Sequence, residues 1–311
     1  MRTGNLLNFY HNVGDESGKN TYYLSIGKTT PWSDNEDDPQ FAPPYPDDDI
    51  TGVVDVWSNM IGISKIPREM MDAVIPRRDW GDERYDNPRT FHIGDIVVVN
   101  TAPYNRTEFG SGWMVYKVIN VPDIGGCSIE SIKDKDTCIK IGGEWTPEIK
   151  SVNPPIGRGD GIETGDGYVW EYLYTIPSDV YINKCTNEYI VVPFPDELEK
   201  NPEKWGYEHV ITWYPNDYNL IYRVKVNSIR FRSYVDAMYF PLTTLPGNKG
   251  FRQVNIIQNP TAKGSVDKLT GQFYSADSVE PHSGQIIYFE NRQPIKRSPD
   301  QTEEVNLIFE F

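Results

Sequence analysis

The segment of residues 165–177 constrains the fold of this chain more than any other, because it combines a turn, a strand and a stop. Apolar side chains recur at every second residue along it, and two residues is the repeat of a β-strand. The side chains on one face are those of Tyr168, Trp170, Tyr172, Tyr174 and Ile176. Gly165 and Gly167 permit a tight entry turn, and Pro177 cannot continue a hydrogen-bonded ladder. The segment therefore predicts a strand with one strongly aromatic face in a β-rich core.

The aromatic face of this strand has two interpretations. Exposed in a groove, its rings would form a stacking platform for a sugar or a nucleobase. Buried, the same rings would fill a hydrophobic core, and this interpretation is favoured because aromatic residues at strand spacing are more often core residues. The exposure of Trp170, Tyr172 and Tyr174 separates the two.

Composition supports a mainly β fold. The chain has 311 residues with 24 prolines, 25 glycines and 13% aromatic residues, a combination that favours strands joined by rigid loops over a helical bundle. Two segments differ in texture from the rest. We expect residues 122–164 to be a cysteine-containing insertion and residues 259–283 to be a polar excursion with few apolar anchors.

The net charge of −15 restricts the partners of the protein. A surface that binds nucleic acid or anionic membrane gains affinity from lysine and arginine, so we expect neither partner here. No apolar run approaches the roughly 20 residues that a membrane-spanning helix requires. The N-terminal residues lack the apolar core of a signal peptide, and we expect synthesis in a cytoplasm.

Local patterns predict further elements. Residues 50–63 and 68–75 have the spacing of two short amphipathic helices or helical turns separated by Pro67. Residues 93–100 and 113–121 predict a β-hairpin, and residues 220–231 alternate as one long strand with a polar face. Tyr189 begins a short apolar strand that ends at Pro193.

The cysteines give no metal-binding pattern. Cys127 and Cys138 are separated by ten intervening residues inside the insertion, which we expect to pack on Trp145. A disulfide between them would clip the insertion, but a reduced pair is favoured for a protein made in a cytoplasm. None of the three cysteines has the paired spacing of a zinc site.

No catalytic constellation emerges from the sequence. The four histidines are scattered without metal-site spacing or a nearby carboxylate, so we expect no metal, cofactor or catalytic base. Asp166 and Glu171 flank the aromatic strand as a glycosidase pair would. Five residues of extended chain place them about 16 Å apart, which is too far for either glycosidase geometry.

Two segments are candidate docking sites. Arg77 and Arg78 precede Asp79 and Trp80 in a stiffened turn after a proline, where they could grip the carboxylates of a partner or close an internal ion pair that fixes the loop. The second candidate is the proline-rich arm, residues 28–49, which is dense in proline and acidic residues. It also carries two apolar side chains that an extended arm cannot easily bury, those of Phe41 and Tyr45.

Several stretches together resemble one protein family. They are FAPPYP at residues 41–46, DAVIPRRDWGD at 72–82, GDGYVWEY at 165–172, CTNEYIVVP at 185–193, LPGNKGFRQ at 245–253 and DQTEE at 300–304. In this order they resemble the baseplate wedge subunit, the eighth gene product, of contractile-tailed bacteriophages. None of the stretches is a generic motif.

The resemblance implies a non-enzymatic structural protein of the phage tail baseplate. It implies a homodimer whose subunit is one structural unit over residues 1–311, mainly β, with a layered β-sandwich core, α/β excursions and long proline-rich loops. The expected partners are neighbouring wedge proteins, first in the host cytoplasm and then in the virion, where the baseplate rearranges as the tail contracts. The alternative is a carbohydrate-binding or hydrolytic tail protein that uses exposed aromatic and acidic residues.

Overall fold

The computed structural model describes most of the chain. The described residues are 2–14, 18–45, 56–101, 112–122, 126–129, 131–145, 147–207, 218–235, 250–263, 273–296 and 303–311. The helices are α1 (Arg2–His11), α2 (Lys135–Lys140), α3 (Ser178–Lys184), α4 (Pro195–Lys200) and α5 (Tyr218–Val224). The strands are β1 (Tyr22–Gly27), β2 (Met60–Ile66), β3 (Met71–Pro76), β4 (Ile96–Asn100), β5 (Trp113–Asn120), β6 (Ile162–Glu163), β7 (Val169–Ile176), β8 (Tyr189–Val192), β9 (Ser228–Val235), β10 (Gly250–Gln258), β11 (Phe273–Ser275), β12 (Gln285–Lys296) and β13 (Glu303–Glu310).

The prediction of a mainly β fold is confirmed, since the described strands form three antiparallel sheets and the helices are short. The chain divides into two compact units. Unit 1 comprises Met1–Asp72 and Ser228–Phe311, and unit 2 is the continuous segment Ala73–Asn227. Unit 2 is thus inserted in sequence between the two segments of unit 1.

Unit 1 contains a five-stranded sheet in the order β11-β2-β1-β10-β12. Its central strand β1 pairs with β10 from Tyr22 opposite Gln258 to Gly27 opposite Gln253. Burial on both faces of β1 makes all six of its residues part of the interior. Strand β13 pairs with β9 in the same unit. A core cluster of this unit contains Tyr23, Val56, Met60, Ile63, Ile257 and Val279.

Unit 2 contains a four-stranded sheet in the order β4-β5-β7-β6. The predicted hairpin is present, because β4 and β5 pair antiparallel from Ile96 opposite Lys117 to Asn100 opposite Trp113. The residues of its predicted turn, 102–111, lie outside the described part of the chain. Strand β8 pairs with β3. A hydrophobic core cluster of unit 2 contains Phe91, Val97, Val99, Met114, Tyr116, Val118, Tyr168, Trp170 and Tyr172.

The helices or helical turns predicted over residues 50–63 and 68–75 are wrong for most of the described residues of these ranges. The structure has strands β2 and β3 there, with a helical stretch only at residues 56–59 and a short 3₁₀ turn, Arg68–Met70; residues 50–55 lie outside the described part. β2 pairs with β1 on one side and with β11 on the other. A strand buried on both faces needs a nearly continuous apolar run, so the two-residue repeat that marks a strand in sequence is lost.

The single strand predicted over residues 220–231 is also wrong. Residues up to Val224 belong to helix α5, and strand β9 begins only at Ser228, four residues after the helix ends. The stop is a Schellman motif: the amide of Val226 donates to the carbonyl of Ile221, and the amide of Lys225 donates to that of Tyr222. Lys225 has φ +58°, a conformation that glycine usually supplies, so the sequence contains no visible stop signal.

Cys127 and Cys138 form a disulfide that closes the insertion, in place of the reduced pair favoured from the sequence. Cys127 also pairs with Trp145 in an isolated antiparallel β-bridge. Asp134 caps the N-terminus of helix α2, and its side chain accepts a hydrogen bond from the amide of Thr137 at 2.8 Å. Gly143 is required at its position. A Cβ there would lie 2.8 Å from both cysteine sulfurs, closer than non-bonded carbon and sulfur atoms pack.

No helix in the described part of the chain is long and apolar enough to cross a membrane.

Candidate interface sites

The aromatic face of strand β7 is buried in the hydrophobic core of unit 2. Trp170, Tyr172 and Tyr174 on β7 are each at most 1% exposed, and Tyr168 just before the strand is 2% exposed. The hydroxyl groups find internal acceptors: Tyr174 donates to the carbonyl of Val191 at 2.8 Å, and Tyr168 to that of Ile149 at 2.8 Å. These rings are inaccessible to a sugar or a base, so the stacking interpretation has no surface on which to act.

The two carboxylates beside this strand serve the fold. Asp166 accepts hydrogen bonds from the hydroxyl of Thr164 at 2.6 Å and from the amides of Val152 and Tyr168 at 2.8 and 3.1 Å. Burial alone would raise the pKa of Asp166, but these hydrogen bonds outweigh it and lower the pKa overall. Asp166 is therefore ionised at neutral pH, which is the wrong state for a general acid.

Glu171 is held in an ion pair with Arg223, with 2.6 Å between the carboxylate and guanidinium atoms. The pair joins β7 to α5 within unit 2. Among the described residues, no group of three or more His, Cys, Asp or Glu side chains is placed to hold a metal ion.

The guanidinium of Arg77 is hydrogen-bonded within the protein, to Asp79 of its own turn and to the backbone of Thr186. Its Nε and Nη2 donate to the two carboxylate oxygens of Asp79 at 2.9 and 2.6 Å, and Nη1 donates to the carbonyl of Thr186 at 3.1 Å. The guanidinium also lies over the ring of Tyr181, 5.3 Å from its centroid, and Tyr181 stacks on Trp113 at 3.8 Å. The hydrogen bond to Asp79 is the largest cause of a raised pKa at Arg77.

Arg78 is engaged in the same way on the other side of the turn. Its Nη1 donates to Asp95 at 2.9 Å, its Nη2 donates to the carbonyl of Thr90 at 2.8 Å, and its guanidinium lies 4.5 Å from the centroid of Phe91. Trp80 donates from its indole nitrogen to the hydroxyl of Ser151 at 3.3 Å. The turn of residues 77–80 is therefore tied to its surroundings by three different side chains.

An open cleft of about 430 Å³ lies beside this turn in unit 2. It is lined by Arg77, Asp79, Trp80, Gly81, Asp82, Arg84 and Asn187. Arg84 is 54% exposed and donates from Nε and Nη2 to Asp82, at 2.9 and 2.6 Å to the nearer oxygen. That hydrogen bonding is the main cause of a lowered pKa at Asp82. The charges of the cleft are thus mostly neutralised in pairs.

The described part of the proline-rich arm, residues 28–45, belongs to unit 1 and contacts strand β12. Asn291 of β12 donates from Nδ2 to the carbonyl of Pro44 at 2.9 Å, and Gln293 donates from Nε2 to the carbonyl of Phe41. Phe41 is half-buried, whereas Tyr45 is 91% exposed. The two residues predicted to act together therefore have different surroundings.

Sequence analysis missed two buried ion-pair clusters in unit 1. Asp72 accepts from Arg230 Nη2 at 3.0 Å and from Arg232 Nε at 2.8 Å, and all three side chains are buried. Arg252 and Glu36 form a second buried pair, with 2.7 Å between Nη2 and Oε2. The spacing of Arg230 and Arg232 could have indicated the first cluster, because residues two apart in a strand lie on the same face.

Comparison with known proteins agrees with the resemblance of the sequence motifs. A family model described as Bacteriophage T4, Gp8 matches residues 1–311. The chain is 55% identical over 319 aligned residues to the baseplate wedge protein gp8 of Enterobacteria phage T4, with 100% of this chain and 96% of that relative covered. Because both matches extend over the full chain, the protein belongs to the Bacteriophage T4, Gp8 family.

Proposed function

We propose that this protein is a non-enzymatic structural subunit of a phage tail baseplate wedge. The observation that carries the proposal is the 55% identity over the whole chain to a baseplate wedge protein. On this proposal the protein is located in the tail baseplate of the virion and enters it during assembly in the host cytoplasm. The whole chain acts there as one structural unit, because unit 2 is joined covalently to unit 1 at both of its ends.

Two features of the structure support a role without catalysis. The aromatic residues of β7 fill the core of unit 2 and leave no stacking platform. Asp166 and Glu171 are both committed to internal hydrogen bonds and an ion pair. A carbohydrate-binding or hydrolytic tail protein needs such groups at an open surface.

The proposed partners are a second copy of the chain and neighbouring wedge proteins. Strong negative charge keeps an unassembled subunit soluble, and specific contacts then select its partners. The candidate contact residues are those of the 77–80 turn and of the proline-rich arm. We further propose that the subunit changes its contacts when the baseplate rearranges during tail contraction. Structures of the baseplate before and after contraction would show different neighbours at these residues, and identical neighbours in both states would contradict this.

Complementation tests the proposal as a whole. A phage carrying a stop codon in this gene should form particles without complete baseplates, and a plasmid copy of the wild-type gene should restore infectivity. The Asp166→Asn and Glu171→Gln variants should restore it as well, since neither carboxylate is proposed to do chemistry. A folded Glu171→Gln protein that enters the virion but leaves it non-infectious would contradict the non-enzymatic role.

A further inference from the structure

The backbone of the proline-rich arm is stiff where it reaches the surface. Residues 41–46 read Phe-Ala-Pro-Pro-Tyr-Pro. Each proline fixes its own φ at about −65° and disfavours the helical conformation of the residue before it. Ala42, Pro43 and Tyr45 all precede a proline, so the backbone here is held extended. The conformation that such a proline-rich sequence favours is polyproline II, which has three residues per turn.

Two side chains of β12, those of Asn291 and Gln293, donate hydrogen bonds to one side of this segment. They bind the carbonyl groups of Phe41 and Pro44, which are three residues apart. Three residues make one turn of polyproline II, so both carbonyls lie on the same side of the segment. Contacts through the backbone leave the outward side chains available. Ala42 and Tyr45 are likewise one turn apart, and both are exposed.

The base of the arm is fixed by a buried ion pair. Arg252 on β10 donates from Nε to Glu36 at 2.8 Å and from Nη1 to the carbonyl of Thr29 at 2.7 Å. The other carboxylate oxygen of Glu36 accepts from the amide of Trp32. The ammonium of Lys28 lies 5.0 Å from the centroid of the Trp32 ring. These contacts fix the base of the described part of the arm without a partner, which lowers the conformational entropy lost on binding.

The exposed surface of the arm combines one aromatic ring with negative charge. Tyr45 is 91% exposed, the largest exposed fraction among the described large apolar residues. Among the described residues of the arm, Asp34, Asp37 and Asp38 are exposed, while Glu36 is turned inward. Tyrosine is enriched among residues that dominate binding energy at interfaces.

We propose that residues 41–45 are a preformed polyproline ligand that docks Tyr45 into an aromatic-lined groove with a lysine and arginine rim on another wedge protein. Proline-rich segments bind such grooves because little backbone entropy remains to be lost. The basic rim follows from charge complementarity to the aspartates of the arm. A second copy of this chain is the weaker candidate, because it carries the same net charge of −15. The inference rests on the proposed function and names the surface and the partner chemistry.

Binding of the full-length chain to each purified wedge protein of the same phage tests the inference. We expect Tyr45→Ala to weaken the complex about tenfold or more, as for other aromatic anchors, and Tyr45→Phe to retain most of the affinity. Ile182→Ala is the matched control, because Ile182 is also a highly exposed apolar residue, at 77%, but lies on α3 of unit 2. Unchanged affinity of Tyr45→Ala would overturn the inference and leave the proposed function intact. If the wild-type chain binds none of the wedge proteins, the inference and the proposed function are both contradicted.

The charge of the partner is tested by salt. The Asp37→Asn, Asp38→Asn double variant should bind more weakly at low salt and should lose less affinity than wild type when salt is added, since exposed charge pairs are screened. Asparagine at position 38 keeps an oxygen for the amide of Gln40, which Asp38 now accepts at 2.9 Å. A salt dependence equal to that of wild type would rule out the basic rim.

A photo-crosslinking residue placed at position 45 identifies the occupant. Crosslinks to aromatic residues flanked by lysine or arginine on another wedge protein would support the groove. Crosslinks between two copies of this chain, or to a surface without aromatic residues, would overturn it.

Discussion

Arg78 is a charged residue whose guanidinium makes its contacts inside its own unit. Its two terminal nitrogens bind Asp95 and the carbonyl of Thr90, and its plane packs on Phe91. Sequence analysis left partner binding and loop fixing equally open for Arg77 and Arg78. The internal contacts of both guanidinium groups favour loop fixing.

We therefore expect Arg78→Ala to destabilise unit 2 by about 2–3 kcal/mol, because a hydrogen bond to a charged group contributes about 1.5–3 kcal/mol. Thermal melting measures this, and Arg84→Ala is the control because Arg84 is half-exposed and its loss should leave the melting temperature nearly unchanged. The Arg77→Ala, Arg78→Ala double variant decides between the roles. Wild-type melting combined with lost binding to wedge proteins would show that the pair acts in docking.

The buried carboxylate of Glu36 makes the stability of the arm depend on pH. Burial alone would raise its pKa, but the hydrogen bonds and charge of Arg252 and the amides of Trp32 and Ser33 lower it below the ordinary 4.5. A lowered pKa in the folded state means that ionised Glu36 stabilises the fold at pH values above 4.5. This stabilisation is lost as the pH falls from there through the folded-state value.

We expect Glu36→Gln to lower the melting temperature at neutral pH and to remove part of its fall on acidification. Melting curves recorded between about pH 6 and pH 3 cover the range in which carboxylates titrate. Asp34→Asn, at an exposed position of the same arm, is the control. Parallel pH profiles for wild type and Glu36→Gln would show that the ion pair contributes nothing to stability.

At the scale of the element, the insertion depends on a covalent link rather than on a core. Its helix α2 has six residues and one buried side chain, that of Cys138. Helices this short are marginal unless something else holds them. The disulfide closes a loop with a sequence separation of 11, for which the chain-entropy model gives about 3 kcal/mol.

Alkylation measures the state of these cysteines. In denaturant without reductant we expect one label per chain, on Cys185, and three labels after reduction. Reduction should also speed proteolysis within residues 126–145 and leave cleavage elsewhere unchanged. Cys185→Ser is the control, because it should take no label and keep the proteolysis pattern. Three labels before reduction would mean that the protein is made and kept with free thiols.

At the scale of the whole molecule, the net charge limits which surfaces can associate. A chain of net charge −15 repels unspecific association, so stable contacts must come from selected surfaces. The division into a unit made of both chain ends and an inserted unit gives the protein two bodies that could bear such surfaces. The homodimer inferred from the family resemblance is the first assembly to be measured.

We expect light scattering of the purified protein to give twice the chain mass of 35.7 kDa over a range of concentrations. Tyr45→Ala should keep this mass, because the arm is proposed to bind a different protein. A constant mass of one chain would contradict the dimer. A dimer lost in Tyr45→Ala would assign the arm to the contact between copies.

The sequence alone determined the elements whose signal is local. The two-residue repeat with glycine and proline at its ends placed β7, and burial of its aromatic face followed from the size of its apolar surface. The short run of β8 and the β4–β5 hairpin were placed in the same way. The segments that became candidate interface sites were also visible, since prolines and unpaired apolar residues stand out in a polar stretch.

Only the tertiary structure decided what depends on distant residues. β2 is a strand because β1 and β11 pair with its two edges, and α5 ends where Lys225 adopts a backbone conformation that its side chain does not announce. The ion pairs of Glu36 with Arg252 and of Asp72 with Arg230 join residues 216 and 158 positions apart. Burial makes each pair necessary, because a buried charge without its partner costs several kcal/mol, about 3–5 kcal/mol when one partner is removed. The fold creates this burial, and no local pattern records it.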